Sequence, residues 1–200
     1  MAYQDVQELM SYSDEEIVEL VLGGEKELFG ILVDRYQQPV YNLMLRCAHN
    51  SDEAADLAQD VFLRAFDRLW SFRAEGSFFT WLYSLAVNLA RDWQRRKRTR
   101  NSKQHILEQE EMSREDGLNH HGRIENLEQV SLLHHALLYL ADMTREILIL
   151  RYRHGCPVKE VARTFNLSES AVKMRIKRGL EQLRTIMEKN KVVSHEQQKN

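Results

Sequence analysis

Proline and glycine are scarce, two and eight residues in 200. That leaves few of the tight turns a chain of short strands requires. With Leu, Ala, Glu, Arg and Gln abundant, it favours helices throughout. Cysteine is equally sparse. Cys47 and Cys156 lie far apart with no CxxC partner, which argues against a zinc site or a disulfide framework and suits a reducing compartment. No apolar run approaches the roughly 20 residues needed to span a bilayer. Met1 to Leu20 lacks the basic-then-apolar order of a signal peptide, so a cytoplasmic protein is expected. There is no Gly-rich phosphate loop, no HExxH and no nucleophile with a base nearby. His120-His121 and His134-His135 are adjacent pairs, which point to different helix faces and do not chelate as i,i+4 pairs could. All eight histidines are therefore read as structural or surface residues. No catalytic residue, metal, cofactor or small-molecule substrate is expected. No one sign of charge dominates either: the formal net charge is −2. That sum hides a local asymmetry, which carries the information.

With 43% apolar and 29% charged residues the chain is globular in composition, long enough for one medium domain or two small ones. Ser13-Asp14-Glu15-Glu16 reads as a capping box opening a helix through Val21, stopped by Gly23-Gly24. A second helix begins near Lys26, and Pro39 is expected to interrupt it before Val40, Leu43, Met44 and Cys47 resume the stripe. After a turn at His49-Asn50-Ser51, a third helix runs towards Trp70, with Leu57, Val61, Ala65 and Leu69 inward and Asp52 and Glu53 on its first turn. A loop, Ser71 to Ser77, leads into a long helix from Phe78 to Arg98, with Leu82, Leu85 and Leu89 inward. Its second half is strongly basic: Arg91, Arg95, Arg96, Lys97, Arg98 and Arg100. From Gln104 to Gln129 acids dominate, among them Glu108, Glu110, Glu111 and Glu115, and this stretch reads as a flexible linker. Apolar order resumes near Val130. A polar tail, frayed in expectation, follows Asn190.

Three constellations stand out. In the first, Val158, Val161, Ala162 and Phe165 form a short helix, and Asn166-Leu167-Ser168 a tight turn. A second helix follows, with Val172, Ile176, Leu180 and Leu183 inward and Ser170, Lys173, Arg175, Lys177 and Arg178 outward. Small Ala162 allows close crossing, Asn166 tolerates a left-handed conformation and Ser168 suits an N-cap. This is helix-turn-helix grammar, which sends the second helix into the major groove. A helical hairpin with a solvated basic face is the plainer alternative. In the second, Phe72, Phe78, Phe79, Trp81, Tyr83 and Trp93 precede or accompany the basic block. Rings beside cations hold unpaired bases by stacking and phosphate neutralisation. Trp81 sits at core spacing, whereas Phe72 and Tyr83 are expected to be exposed. In the third, Asp52, Glu53, Asp56 and Asp60 edge a strip of Gln59, Phe62, Leu63 and Phe66. That strip fits either a basic protein partner or an ordinary amphipathic helix.

Four stretches, in order and spacing, resemble the extracytoplasmic-function sigma factors, the smallest members of the sigma-70 superfamily. They are Arg35-Tyr36-Gln37 with Pro39-Val40-Tyr41; Ala55 to Phe62 with Arg64-Ala65-Phe66; Ser71-Phe72-Arg73 with Thr80 to Tyr83 and Ala86-Val87-Asn88; and the helix-turn-helix ending Val172 to Arg178. The resemblance implies an all-α protein of two small helical domains joined by a flexible acidic linker, the second with the helix-turn-helix. A region-2-like domain would span 1–100, a linker 101–127, a region-4-like domain 128–190 and a tail 191–200. By similarity Asp56, Gln59, Asp60 and Leu63 would lie on the polymerase clamp. The Ser71–Ser77 loop, with Ser71, Phe72 and Arg73, would take a flipped non-template base of the −10 element near Tyr83 and Asn88. Arg91, Arg95 and Arg96 would hold strand backbone. Ser168, Ser170, Lys173, Met174, Arg175, Lys177 and Arg178 would face the −35 element. The linker would thread towards the RNA exit path.

Two departures from the family pattern are Leu140-Ala141 where many relatives have Leu-Pro, and Pro157 where many have a Ser or Thr cap. Pro suits a first helical turn, so the helix should survive. The expected partners are core RNA polymerase, promoter DNA and an anti-sigma factor, with a monomer when free. A polymerase-independent helix-turn-helix regulator, dimeric and binding symmetric operators, is the alternative. An interaction protein whose basic helix docks an acidic partner is a third reading.

Overall fold

The computed structural model describes residues 11–104, 133 and 136–197, with side chains as far as 99 and 188 in the two long stretches. Among the described residues every regular element is helical. The chain divides into two compact units, Met1–Gly117 and Leu118–Asn200. The acidic stretch from 105 onward and all four paired histidines lie outside the described residues.

In the first unit, helix α1 (Asp14–Leu22) opens on the expected capping box. The Ser13 hydroxyl accepts from the Glu16 amide at 3.2 Å, and the Glu16 carboxylate accepts from the Ser13 amide at 2.7 Å. Ile17, Val18 and Val21 bury one face. Asp14 turns back onto the next helix. One carboxylate oxygen takes Arg35 Nη1 at 2.7 Å, the other accepts from the Tyr36 hydroxyl, and Arg35 Nη2 donates to the Tyr12 carbonyl at 2.7 Å. Burial, and then the bond to Asp14, push the Tyr36 phenol well above its ordinary pKa. Tyr36 therefore remains a donor across the physiological range.

A short 3-10 turn, Lys26–Leu28, leads into α2 (Phe29–Ala48). Pro39 was expected to interrupt this helix and does not. A mid-helix proline costs about 3 kcal/mol through its missing amide and ring clash. Here Leu32 on one side and Val40, Leu43 and Met44 on the other are almost wholly buried, at roughly 1.5–3 kcal/mol each, so packing outweighs the defect. His49, left-handed at φ 56°, ends α2, and the Asn50 side chain accepts from the Glu53 amide at 2.9 Å to start α3 (Ser51–Asp67). Ala54, Leu57, Ala58, Val61 and Ala65 form the inner stripe of α3. The helix ends before Trp70 and tightens into a 3-10 turn, Leu69–Ser71. Helix α4 (Phe78–Gln104) packs against both α2 and α3 along Phe78, Leu82, Ala86 and Leu89.

In the second unit residues 136–138 are helical, and α5 (Asp142–Leu148) runs into a π-helical turn, Ile149–Arg153. Gly155, at φ 68°, reverses the chain, and Arg151 Nη1 holds the Cys156 carbonyl at 3.2 Å. Burial pushes the Cys156 thiol up to about 11, so it stays protonated. Helix α6 (Val158–Phe165) follows, with Pro157 at the cap position itself. Last comes α7, Glu169–Gln197, which continues through the segment expected to be a frayed tail. Ala136, Leu140, Leu148 and Leu183 form a core against which Leu137, Ile176, Ile186 and Met187 pack. Arg145 is buried there too, 2.7 Å from Asp142 and 3.7 Å from buried Glu146, a charged cluster the apolar pattern did not reveal.

One inward assignment is corrected. Leu180 is 41% exposed, and its neighbour Gly179 takes the buried place. A β-carbon at Gly179 would stand 2.7 Å from Thr144 Cγ2 and 3.0 Å from Leu148 Cδ1. Helix α7 thus crosses α5 through a glycine because nothing larger fits. Gly179→Ala should accordingly destabilise the unit. Overpacking costs about 1–3 kcal/mol, more than the up to about 1 kcal/mol of helix propensity gained. Thermal melting followed by circular dichroism should show a lower midpoint, restored in part by adding Thr144→Ser, which removes the clashing methyl.

Candidate nucleic-acid interface

Two surfaces, one per unit, carry the residues singled out in the sequence. The Ser71–Ser77 loop is held at both ends. The Ser71 hydroxyl donates to the Arg68 carbonyl at 2.7 Å, and the Phe72 amide to Leu69 at 3.0 Å. The Ser77 hydroxyl accepts from the Thr80 amide at 3.3 Å and lies 3.0 Å from its hydroxyl, capping α4. Arg73 Nη1 folds back on the Trp70 and Phe72 carbonyls at 3.0 and 3.2 Å. Between these anchors Arg73, Ala74 and Glu75 are exposed.

Phe72 is only half exposed, because its ring meets Phe78 and Trp81 edge-on, each at 5.7 Å. Trp81 is itself half-buried. Tyr83 requires correction. Expected to be exposed for stacking, it is 0% exposed, its ring against Phe79 at 5.4 Å and its hydroxyl accepting from Arg46 Nη2 at 3.3 Å. The phase of α4 explains this: Tyr83 shares the inner stripe with Phe79, Ala86 and Ala90, one and two turns away. It offers no face to a base.

Further along α4, Asn88 is exposed, and Arg91 and Arg95 follow at i+3 and i+7 on the same face, Arg91 half-buried and Arg95 exposed. Arg96 is exposed one position round. The basic block is partly occupied internally. Asp92 takes Arg95 Nη2 at 3.2 Å, and its carbonyl takes Arg96 Nε at 3.3 Å. Lys97 reaches Glu53 on α3 at 2.9 Å while lying 4.5 Å over the Trp93 ring. Lys97 thus ties α4 to α3.

On α3, Asp56, Gln59, Asp60 and Leu63 stand at i, i+3, i+4 and i+7, all exposed and opposite the core stripe. Leu63 is 57% exposed. Trp70, 68% exposed, was not recognised as part of this surface. Its signal was present, since Leu63, Phe66 and Trp70 continue the outer row at i, i+3 and i+7. Phe66 is anchored edge-on to Phe29 at 5.2 Å, and an exposed apolar row of this kind suits a partner.

In the second unit Asn166 takes the left-handed conformation at φ 54°, ψ 50°, and the Leu167 amide returns to the Ala162 carbonyl at 2.9 Å. The Ser168 hydroxyl accepts from the Ala171 amide at 3.2 Å. Val172 is fully buried, Ser168 is exposed just before α7, and Ser170, Lys173, Met174, Lys177 and Arg178 are exposed on it, with Arg175 half-buried at the edge. The turn is as tight, and the two faces as distinct, as groove entry by α7 requires. Among the described residues no group of His, Cys, Asp and Glu could hold a metal ion, and no helix is long and apolar enough to cross a membrane.

Comparison with known proteins matches one stretch in each unit. Residues 32–100 fit Sigma-70 region 2, and residues 131–183 fit Sigma-70, region 4. The ECF RNA polymerase sigma factor SigW of Bacillus subtilis is 31% identical over 177 residues, covering 84% of this chain and 92% of that protein. The RNA polymerase sigma-H factor of Pseudomonas aeruginosa is 30% identical over 182 residues, covering 86% and 93%. The ECF RNA polymerase sigma-E factor of Escherichia coli K12 is 30% identical over 175 residues, covering 84% and 91%. Among solved structures, the sigma factor RpoE in complex with the anti-sigma factor NepR from Bartonella quintana superposes with a TM-score of 0.66 at 18% identity, over 80% of this chain and 96% of that one. CnrH in complex with the cytosolic domain of CnrY gives 0.62 at 22%, over 88% and 97%. These two likenesses concern the fold. Sequence identity that spans nearly the whole length of such relatives, with both regions matched in this chain, places it among the ECF RNA polymerase sigma factors.

Proposed function

We propose that this sigma factor divides promoter recognition between its two units. The first docks on core RNA polymerase through Asp56, Gln59, Asp60 and Leu63, and takes a non-template base of the −10 element at the Ser71–Ser77 loop, with Asn88 beside it and Arg91, Arg95 and Arg96 on the strand backbone. The second reads the −35 duplex through Ser168, Ser170, Lys173, Met174, Arg175, Lys177 and Arg178. The observation that supports this most is the segregation on each helix: on α3, α4 and α7 the core takes one face, and the proposed contacts lie on the other. Tyr83 is left out, being buried.

The work is binding rather than bond-making, so the chain is no enzyme. Capturing an extruded base offsets part of an unpairing cost of a few kcal/mol, and docking on polymerase supplies the scaffold. The free chain is a cytoplasmic monomer that binds duplex weakly, since its net charge of −2 gives little non-specific attraction. An anti-sigma factor holds it inactive. This last proposal draws on two structural neighbours, each described in complex with a protein of its own.

Run-off transcription with core polymerase on a promoter library tests the division. Lys173→Glu with Arg178→Glu should reduce output from −35-dependent promoters by about thirty-fold or more, as the loss of two contacts of about 1–3 kcal/mol each would. Templates that do not need the −35 element should be spared, whereas equal loss on both would remove the −35 assignment. Asn88→Ala should change the order of preferred −10 sequences and leave the −35 preference intact. A preference unchanged at both elements would clear Asn88 of any part in base choice.

A further inference from the structure

Helix α1 lies outside the stretch that matches Sigma-70 region 2, which begins at residue 32. It nevertheless reaches the Ser71–Ser77 loop by two routes. The first is direct: α1 packs against the Leu69–Ser71 turn, whose last residue opens the loop. The second runs through rings. Asp14 fixes the Tyr36 hydroxyl, and the Tyr36 ring stacks on Phe79 at 5.3 Å and 30° and leans on Phe78 at 5.8 Å. Phe78 in turn meets Phe72, the second residue of the loop, edge-on at 5.7 Å and Trp81 at 5.5 Å.

Such contacts transmit orientation. Aromatic pairs prefer particular tilts, and packed rings at native density cannot turn independently. A phenol has a rotatable ring and a polar tip, so fixing the tip fixes the ring's place. Asp14 does this with one oxygen while the other holds Arg35, which also binds the Tyr12 carbonyl. Three bonds from the chain around α1 therefore converge on two adjacent residues of α2.

We propose that Asp14 is a positioning residue for −10 base selection: through Tyr36 and the ring cluster it sets the seat of the Ser71–Ser77 loop. Asp14 touches no DNA. The inference rests on the reading that this loop takes the base, and adds that its geometry is imposed from a helix outside the region-2 stretch.

The test measures discrimination rather than output. Holoenzyme is assembled from core polymerase and full-length chain, and run-off transcript is compared between the preferred base at one −10 position and each of the three substitutions. A smaller folded fraction lowers all four signals alike and leaves their ratio unchanged. Asp14→Ala should narrow that ratio about three- to ten-fold, the effect of losing one hydrogen bond's worth of constraint. Tyr36→Phe, which keeps the ring and loses only the hydroxyl, should narrow it in the same direction. Glu19→Ala, an exposed change on the same helix, should leave it alone. Reduced transcript with an unchanged ratio in both Asp14→Ala and Tyr36→Phe would overturn the proposal, leaving Asp14 a stabilising residue only. A loop carrying Arg73→Gly, Ala74→Gly and Glu75→Gly serves as the reference. Should that loop discriminate as well as the native one, the base-capture reading fails, and the role of Asp14 with it.

Discussion

The buried stripe of α4 is the constraint on which the first unit turns. Phe78, Leu82, Tyr83, Ala86, Leu89 and Ala90 are sealed against α2 and α3. A helix advances about 100° per residue, so fixing those six fixes the direction of every other side chain on it. Asn88 and Arg95 face away from the core, with half-buried Arg91 between them, because Leu82, Ala86 and Leu89 face into it. The same stripe begins at Phe78, immediately after the Ser77 cap, so the loop that ends there is anchored by the core itself. Side chains fixed on a rigid helix lose little entropy when a ligand arrives.

The features legible in the sequence were those decided by neighbours a few residues away. The Ser13 capping box, the left-handed Asn166 and the Ser168 cap are local hydrogen-bonding choices, and each formed as its residues suggested. The features not legible were settled by distant parts of the chain. Pro39 stays helical because Val40, Leu43 and Met44 bury against other helices, which outweighs a local preference to break. Gly179 reads as a weak point in α7 until the Thr144 methyl is seen beside it. Tyr83 invited a stacking role because rings and arginines are close in sequence, yet the helical period turns it the other way. Of the candidate surfaces, the sequence showed that α3 has an acidic outer face and α7 a basic one, whereas Trp70 required following the outer row beyond the end of α3.

Charge in this protein is spent locally before any partner is met. Glu53 and Asp92 each engage the basic half of α4, and Lys97 is held between a carboxylate and an indole. Exposed ion pairs of this kind contribute about 0–1 kcal/mol to stability. Their larger effect is on shape, since they hold long side chains in one place and limit how far the positive potential extends from the surface. Under the single-strand role proposed for α4, such moderation is a gain, because a stronger field would attract any duplex in the cell.

The glycine at the crossing of α5 and α7 has a consequence for how such proteins diversify. Helix α7 is seated by Val172, Ile176, Gly179 and Leu183, whereas Ser170, Lys173, Met174, Lys177 and Arg178 play no part in holding it. The two sets interleave along the chain without sharing a member. A lineage can therefore rewrite the outward letters one at a time, and with them the proposed −35 reading, while the mounting beneath them goes unedited.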